Sequence, residues 1–413
     1  MVLIWQRFAH TQTRYRKASI HTIGILNPKQ MANTILSHQT FNPIPAVHVT
    51  SRRLSPTTTR LPLQFFKNKS FALQLKADQK SFKWAIGLSP VDQTVNAERL
   101  VRFLYDDLPH VFDDQGIDRT AYDELLKFRD PITKLDTLSG YLVNIALLKT
   151  LFRSEIQLHW VKQTGPYEIT TRWTAIMKFI LLPWNPELVI TGTSIMGINP
   201  ETGKFCSQVD FWDSIKKNDY FSLEGLWDVL KQLRIYKTPD VESPKYQILK
   251  RTSNYEVRKY TPFIVVEANG DKLAGSTGFN DVTGYIFGKN SRSEKIPMTT
   301  PVFTQAFDAE LSKVPIQVVL PLEKDISSLP DPNQETISLR KVEGGIVAVL
   351  KFSGRATEDV VREKGKALRS SLKNDGLKTN TGCLLAQYND PGRTWSFEMR
   401  NEVLIWLEEF SLD

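Results

Sequence analysis

The chain has 413 residues, enough for two or three domains, and its 41% hydrophobic and 24% charged residues are ordinary for a globular protein. This composition excludes a collagen-like repeat and argues against a wholly disordered or membrane-embedded chain. The two cysteines, Cys206 and Cys383, stand far apart, which excludes a disulfide framework and a cysteine-based zinc site.

The net charge of +8 is concentrated at one end of the chain. Residues 1–77 contain 11 Lys and Arg and no Asp or Glu, whereas residues 78–240 contain 19 basic and 22 acidic residues. Residues 241–413 contain 23 of each and are neutral. Because the basic charge is confined to the N-terminal segment, the composition gives little support to a groove for nucleic-acid backbones.

The first 77 residues have the composition of an organellar targeting segment. They are rich in Ser and Thr, contain basic residues but no acids, and show no helical or strand period. Residues 31–40 carry no charge, which is more typical of plastid than of mitochondrial leaders. We therefore expect a disordered transit peptide over 1–77, a linker over 78–89, and a chloroplast location in the stroma or plastoglobules. A disordered basic tail without an address is the alternative.

Residues 90–236 combine helical spacing with strand alternation. Apolar residues recur at helical spacing over 96–111 and over 138–152, and Thr120–Asp123 resembles a capping box that opens a short helix between them. Ser222 is expected to cap a last helix, whose apolar residues are Leu226, Leu230 and Leu233. Period-two and β-branched runs predict strands at 156–161, 168–180, 187–198 and 203–212. Helices followed by an antiparallel sheet predict an α+β domain.

This first domain contains residues from which a catalytic group could be built. His110 and His159 are its only histidines, and Asp130, Tyr141 and Asp210 could meet a ligand inside the domain. An Asp–His pair in a closed pocket would suit proton abstraction. No spacing ties these residues together, so we favour structural roles, with Asp130 as a turn cap and His159 as a sheet residue.

Several short motifs in this domain carry a resemblance to a known family. They are Phe128-Arg-Asp-Pro131, Pro183-Trp184, Gly192 and Phe211-Trp-Asp213. With the order of elements, they make residues 90–236 similar to a plant and algal domain of the nuclear-transport-factor-2-like superfamily. The resemblance implies helices that close one face of a curved sheet and leave a cone-shaped pocket. That superfamily contains isomerases, dehydratases and binding modules, so the fold alone gives no function.

After a polar linker with two prolines at 237–244, the chain changes character. Helices are predicted from Thr277 to Phe287 and from Thr357 to a stop near Gly376, the second with the buried stripe Val361, Gly365, Leu368 and Leu372. Strands are predicted at 246–251, 255–260, 263–268, 297–304, 314–320, 336–342, 345–352, 383–389, 394–399 and 402–408.

Residues 245–413 resemble the SOUL haem-binding protein family. The resemblance rests on motifs in the expected order: Tyr255-Glu-Val-Arg-Lys-Tyr260, Gly278-Phe-Asn280, Tyr285-Ile-Phe-Gly288, Glu294-Lys-Ile-Pro-Met-Thr-Thr-Pro-Val302, Phe352-Ser-Gly354 and Arg400-Asn-Glu-Val403. It implies a distorted β-barrel with two flanking helices. It also implies non-covalent binding of haem or another tetrapyrrole in an apolar cleft near the first helix.

The side chains present restrict how such a ligand could be held. Residues 160–413 contain no histidine, so haem iron would have no imidazole ligand in this domain. We expect Phe279, Val282, Tyr285 and Ile286 to form the apolar wall. The cations expected near the ligand's propionates are Arg393, Lys289 and Arg292. The other candidate iron ligands are Met298, Met399, Cys383, Tyr246, Tyr255, Tyr260, Tyr285 and Tyr388, for which packing is the ordinary role.

The sequence thus predicts a plastid tetrapyrrole carrier or buffer that is not an enzyme in its C-terminal domain. Its partners would be the tetrapyrrole and enzymes of tetrapyrrole metabolism. Two other classes stay open. One is an enzyme whose active site is the N-terminal cone, and the other is an adaptor on plastid lipid bodies, which an exposed apolar patch would favour.

Overall fold

The computed structural model of the protein describes residues 90–270, 277–306 and 314–412. The predicted leader at 1–77 and the linker predicted at 78–89 lie outside the described residues. Among the described helices, none has the length and hydrophobicity of a membrane span.

The N-terminal part packs three helices with a six-stranded sheet in the order β2-β1-β6-β5-β4-β3. The helices are α1 (Pro90–Asp107), α2 (Leu138–Leu151) and α3 (Leu223–Gln232). The strands are β1 (Tyr122–Arg129), β2 (Lys134–Leu135), β3 (Phe152–Gly165), β4 (Glu168–Phe179), β5 (Glu187–Ile198) and β6 (Phe205–Trp212). The β1–β6 pair is parallel, so the sheet is mixed rather than antiparallel throughout.

One helix predicted for this part is wrong. The helix predicted from Thr120 is a single 3-10 turn, Arg119–Ala121, and β1 follows it at once. The Asp118 side chain caps that turn, and β1 instead buries Tyr122, Leu126 and Phe128 in the core. Alternate burial of Leu126 and Phe128 is strand periodicity, which the local capping signal obscured.

The predicted cap of α3 is confirmed, but its predicted buried face is not. The Gly225 N–H donates to Ser222 Oγ at 3.1 Å, as an N-cap should. Leu230, however, is 45% exposed, while Asp228 on the same helix is 3% exposed. The buried residues of the helix are Gly225, Asp228 and Val229, and Asp228 is among them because it pairs with an arginine of the C-terminal part.

The C-terminal part is a nine-stranded sheet in the order β12-β9-β11-β10-β14-β15-β13-β8-β7, with every pair antiparallel. Two helices accompany it, α4 (Thr277–Ile286) and α5 (Glu358–Asn374). The strands are β7 (Tyr246–Arg251), β8 (Glu256–Tyr260), β9 (Phe263–Gly270), β10 (Val302–Ala306), β11 (Val314–Val319), β12 (Ile337–Val342), β13 (Gly345–Phe352), β14 (Cys383–Gln387) and β15 (Asn401–Trp406).

The two flanking helices and the α+β class are confirmed, but the described strands do not close into a barrel. Among the described strands, β12 and β7 each pair on one side, so the order of the sheet is open. The stripe Val361, Gly365, Leu368 and Leu372 of α5 is buried as predicted. The strand predicted at 394–399 is wrong, because that segment holds a 3-10 turn at Ser396–Glu398.

Buried polar contacts join the two parts. Arg251 donates to both oxygens of Asp228 at 2.7 and 3.0 Å, and both side chains are buried. Arg172 pairs with Asp213 at 2.6 Å and also donates to the Leu249 carbonyl. The chain between α3 and β7 is attached as well, since the Lys237 N–H donates to the Glu398 carbonyl at 2.8 Å.

Candidate functional site

Of the ligand-binding residues predicted on helix α4, three lie in the core and one at the surface. Val282, Tyr285 and Ile286 are 0%, 0% and 4% exposed and belong to the hydrophobic core under the helix. The Tyr285 hydroxyl donates to the Pro330 carbonyl at 2.7 Å, which fixes the ring there. Of the predicted wall, Phe279 alone reaches the surface, at 40% exposure. The three buried residues therefore hold α4 on the sheet.

The predicted cations are all at the surface. Lys289 is exposed and its side chain lies against Gly284. Arg292 donates to the Ser328 carbonyl at 3.0 Å. The Arg393 side chain is 88% exposed and pairs with Asp390 at 3.5 Å. These side chains could reach a ligand that lies on the outside of the domain, but none of them lines a cavity described below.

A cavity of about 400 Å³ opens on the C-terminal sheet, away from α4. Its walls are supplied by the eight strands from β8 to β15. Its aromatic and aliphatic lining residues are Tyr260, Phe263, Phe303, Val342, Val347, Leu384, Leu404 and Trp406. The volume is in the usual range for small-molecule sites, about 300–1,000 Å³, and an apolar wall with few polar groups is typical of them. Sequence reasoning missed this cavity.

Polar groups at the cavity include one cation. Arg340 lines it, is half exposed, and pairs with Glu267 at 3.1 Å. Gln317 also lines the cavity and donates to the same Glu267 oxygen at 2.7 Å. Glu343 and Gln305 complete the polar lining. A half-exposed arginine whose acid partner is partly exposed can exchange that partner for a ligand carboxylate at modest cost.

The cavity offers no good ligand for an iron ion. Burial raises the pKa of the Cys383 thiol to about 11, so the thiolate that binds metals is scarce at neutral pH. Burial likewise raises the pKa of the Tyr260 phenol, which therefore stays protonated. Within the described residues no cluster of three His, Cys, Asp or Glu side chains is arranged to hold a metal. The lining suits an organic ring better than its metal.

A buried charge network lies next to the cavity. Arg258, fully buried, donates to Glu402 at 2.9 and 3.0 Å and to Glu256 at 2.6 and 2.8 Å. Its guanidinium lies 4.4 Å from the centre of the Tyr246 ring, and the Tyr260 hydroxyl is 3.5 Å away. Because Tyr260 lines the cavity, this network holds one wall in place.

A larger cleft, about 820 Å³, separates the N- and C-terminal parts beside the linker. It is lined mainly by polar and charged side chains, and two of its arginines, Arg251 and Arg400, are already paired with Asp228 and Glu402. This lining is poorly suited to an apolar ligand, so the smaller cavity is the better candidate.

The acidic residues considered for the N-terminal part lie in a buried polar network. Ser194 and Gln208 donate to Asp210 Oδ1 at 2.6 and 3.0 Å, and the Tyr141 hydroxyl donates to Gln208 at 3.3 Å. Burial raises the pKa of Asp210 to about 6. Burial and the charge of Asp210 raise the pKa of Asp130 to about 7. Asp130 accepts from the N–H groups of the following turn, as a turn cap does.

The two histidines lie apart from that network. His159 Nε2 is 2.9 Å from Thr174 Oγ1, and Thr174 donates to the Ile248 carbonyl of the C-terminal part. His110 contacts Asp113, three residues further on. That His110–Asp113 pair is exposed at the surface, and among the described residues no hydrogen bond or ion pair joins either histidine to Asp130 or Asp210.

The wild-type protein should lose stability relative to a His159→Gln variant as the pH falls from about 7 to about 5. Burial, with a smaller contribution from Arg172 and opposed by Asp213, lowers the pKa of His159 from 6.5 to about 4. Below pH 6.5 the unfolded chain binds a proton that the folded chain does not, so folding becomes less favourable. The ring is partly exposed, so we expect about 1 kcal/mol after solvent screening, measured by urea unfolding. Equal pH dependence of the two proteins would contradict this prediction.

An aromatic-walled cavity with one cation is typical of a small-molecule binding domain, and comparison with known proteins gives the family. Residues 241–406 match the family described as SOUL heme-binding protein. The C-terminal part of the chain is therefore similar to SOUL domains over all the strands of its sheet. Residues 98–208 match a family described as an uncharacterized conserved protein (DUF2358).

Two relatives are similar to a part of this chain that is just under half its length. Heme-binding protein 2 of Mus musculus is 26% identical over 193 residues, which are 45% of this chain and 89% of the relative. Heme-binding protein 2 of Homo sapiens is 27% identical over 181 residues, covering 42% and 83%.

Two solved structures that align with part of the chain are more distant in sequence. A hydrolase from Listeria innocua is 12% identical and aligns with 38% of this chain and 92% of its own, with a TM-score of 0.30. An NTF2-like protein of unknown function from Exiguobacterium is 16% identical and aligns with 31% of this chain and 100% of its own, with a TM-score of 0.21.

Proposed function

We propose that the C-terminal domain binds a tetrapyrrole non-covalently and that the protein serves as its carrier or buffer in the plastid. The observation that carries the proposal is the cavity of about 400 Å³ with four aromatic residues in its lining, within the part of the chain that is similar to SOUL domains. A flat macrocycle gains its binding energy from apolar contact, which Phe263, Phe303 and Trp406 can supply. Arg340 would meet one of its carboxylates.

Binding should depend little on the metal in the ring. Haem would bring an iron centre, but the cavity residues would contact the organic ring. The groups that could approach the iron are the Cys383 thiol and the Tyr260 phenol, and both are protonated. We therefore expect haem and metal-free protoporphyrin to bind with affinities within about tenfold, or about 1.4 kcal/mol. Affinity would come from burial of apolar surface, at about 25 cal/mol per Å² before association costs.

Spectral titration of the full chain with both ligands tests the proposal. Leu384→Trp places a larger side chain in the cavity and should weaken both ligands about tenfold or more. Arg340→Ala should weaken the binding of both ligands equally. We expect a loss of about fivefold in affinity, because the arginine is half exposed. Absence of binding by either ligand would reject the function, and a six-coordinate haem spectrum would reject the metal-independent mode.

The outer face of α4, which the family resemblance favours, is the matched alternative site. Phe279→Ala on α4 and Arg393→Ala in the segment after β14 test it. Both alter surface side chains and should leave both affinities unchanged if the ligand lies in the cavity. If these two variants weaken binding while Leu384→Trp does not, the ligand lies against α4 and the cavity assignment is wrong.

A further inference from the structure

The α3 apolar stripe is a row of large side chains that the fold leaves outside. Leu223, Trp227 and Leu230 recur at i, i+4 and i+7 and are 72%, 60% and 45% exposed. Tyr220 and Phe221, just before the helix, are 52% and 56% exposed. We define the stripe as these five residues. A contiguous exposed apolar patch marks an interaction surface in a soluble protein.

The opposite face of α3 attaches the helix to the rest of the molecule. Asp228 pairs with Arg251, and Gln232 accepts a hydrogen bond from the Val189 N–H at 2.7 Å. Gly225 lies close to Pro131, where an added Cβ would be 3.3 Å from the proline ring. These polar and small residues fix the helix, so the stripe is not needed to anchor it.

Phe221 has a backbone conformation that bulky residues rarely adopt. Its φ is +59°, in the left-handed region, and the next residue is held by a hydrogen bond from the Ser222 N–H to the Pro131 carbonyl. The aromatic ring is placed outward and meets Tyr220 edge to face, with ring centres 6.3 Å apart. The backbone at Phe221 is therefore strained, and in this strained conformation the Tyr220 and Phe221 rings are exposed side by side.

The charge around the stripe is positive. Lys216, Lys217, Lys231 and Arg234 are exposed, against exposed Asp219 and Glu224, which leaves a balance of +2. The two remaining acids of the segment, Asp213 and Asp228, are neutralised by Arg172 and Arg251. Lys231 Nζ lies 6.0 Å from the centre of the Trp227 ring. Cations therefore border the aromatic side chains on the outward face.

We propose that the α3 apolar stripe docks onto a lipid surface with anionic headgroups, a role beyond the proposed tetrapyrrole binding. Helices with a Trp- and Leu-bearing face bordered by lysines lie in the membrane interface, with the apolar face among the upper acyl chains. Tyr and Trp are favoured at that depth because their rings are apolar and their polar atoms reach water.

A second copy of the chain fits this surface less well. A stable dimer buries about 800 Å² and 20–30 residues on each partner, whereas the stripe has five residues. A twofold axis through the stripe would also bring the same lysines of both copies together, and like charges repel.

Co-sedimentation with vesicles of phosphatidylcholine containing about 30% phosphatidylglycerol tests the proposal on the full chain. The double variant Leu223→Ser/Trp227→Ser should bind about tenfold less, because both side chains would enter the interface. Leu125→Ser is the matched control, since Leu125 is 73% exposed on β1, and its binding should equal that of the wild type. The basic N-terminal segment attracts anionic vesicles in all three proteins, so the difference between them is the measurement.

Brominated lipids supply a second measurement that reports on Trp227 itself. They should quench part of the wild-type tryptophan fluorescence, and Trp227→Phe should lose that part while binding as tightly as the wild type. Equal vesicle binding by the double variant and the wild type would overturn the proposal. A wild-type dimer in sedimentation equilibrium that the double variant dissociates would also overturn it, because the stripe would then be a subunit contact.

Discussion

Glu402→Gln should lower the free energy of unfolding by about 3–5 kcal/mol, because it removes the buried carboxylate that Arg258 and Arg400 share and leaves Arg258 with Glu256 alone of its two acid partners. Glu402 and Arg258 are both fully buried, and Glu402 also receives hydrogen bonds from Arg400 and the Tyr388 hydroxyl. Glutamine keeps the size of the side chain, so lost packing contributes little. Urea unfolding at neutral pH measures the loss.

An exposed ion pair supplies the control for this variant. Arg362 and Asp359 are 3.2 Å apart with side chains 50% and 94% exposed, so Asp359→Asn should leave the unfolding midpoint unchanged. A loss below about 1 kcal/mol for Glu402→Gln would mean that water or rearrangement compensates Arg258, and the proposed rigidity of the cavity wall would fail with it.

The same network predicts that the protein loses stability as the pH falls into the acid range. Burial alone would raise the pKa of Glu402, but Arg258 and Arg400 lower it well below its ordinary value. Burial would also raise the pKa of Glu256, and there Arg258 and Lys351 lower it to about 2. The stability from these folded carboxylates is present above their ordinary pKa of 4.5 and is lost as the pH falls from there towards 2. Glu402→Gln should therefore have a shallower acid dependence.

The elements of the fold were largely predictable because their signals are local. Alternation and β-branched runs predicted β4, β5 and β13, and the cap at Ser222 predicted the start of α3. Errors arose where a long-range contact decided the outcome. Asp228 is buried because of Arg251, which follows it by 23 residues in another part of the molecule, and no helical period encodes that partner.

The candidate site was less predictable for a similar reason. The apolar spacing of α4 identified Val282, Tyr285 and Ile286, but core and ligand wall require the same residue types, and burial shows them in the core. The cavity residues Phe263, Phe303 and Trp406 come from β9, β10 and β15, which are not adjacent in the sheet and are far apart in sequence. Each looks like an ordinary strand residue until the register of the strands is known.

Asp228→Asn should lower the free energy of unfolding by about 3 kcal/mol and expose the linker to protease. Asp228 and Arg251 are 3% and 9% exposed, so the variant leaves a buried guanidinium unpaired between the two parts. In the wild type, the linker also receives hydrogen bonds, from the Leu322 N–H to Glu242 Oε1 at 3.0 Å and from Arg400 to Thr238 Oγ1 at 3.3 Å.

Limited trypsin digestion at Lys237 and Lys245 measures this coupling. The two lysines flank the linker, whose prolines alone would predict a freely cleaved hinge. We expect slow cleavage of the wild type and cleavage about tenfold faster or more in Asp228→Asn, because cleavage follows the population of the open form. Asp136→Asn, which breaks the exposed pair with Arg129, should digest like the wild type. If the wild type is cut at once into two stable fragments, the buried pair does not hold the two parts together, and each part folds independently of the other.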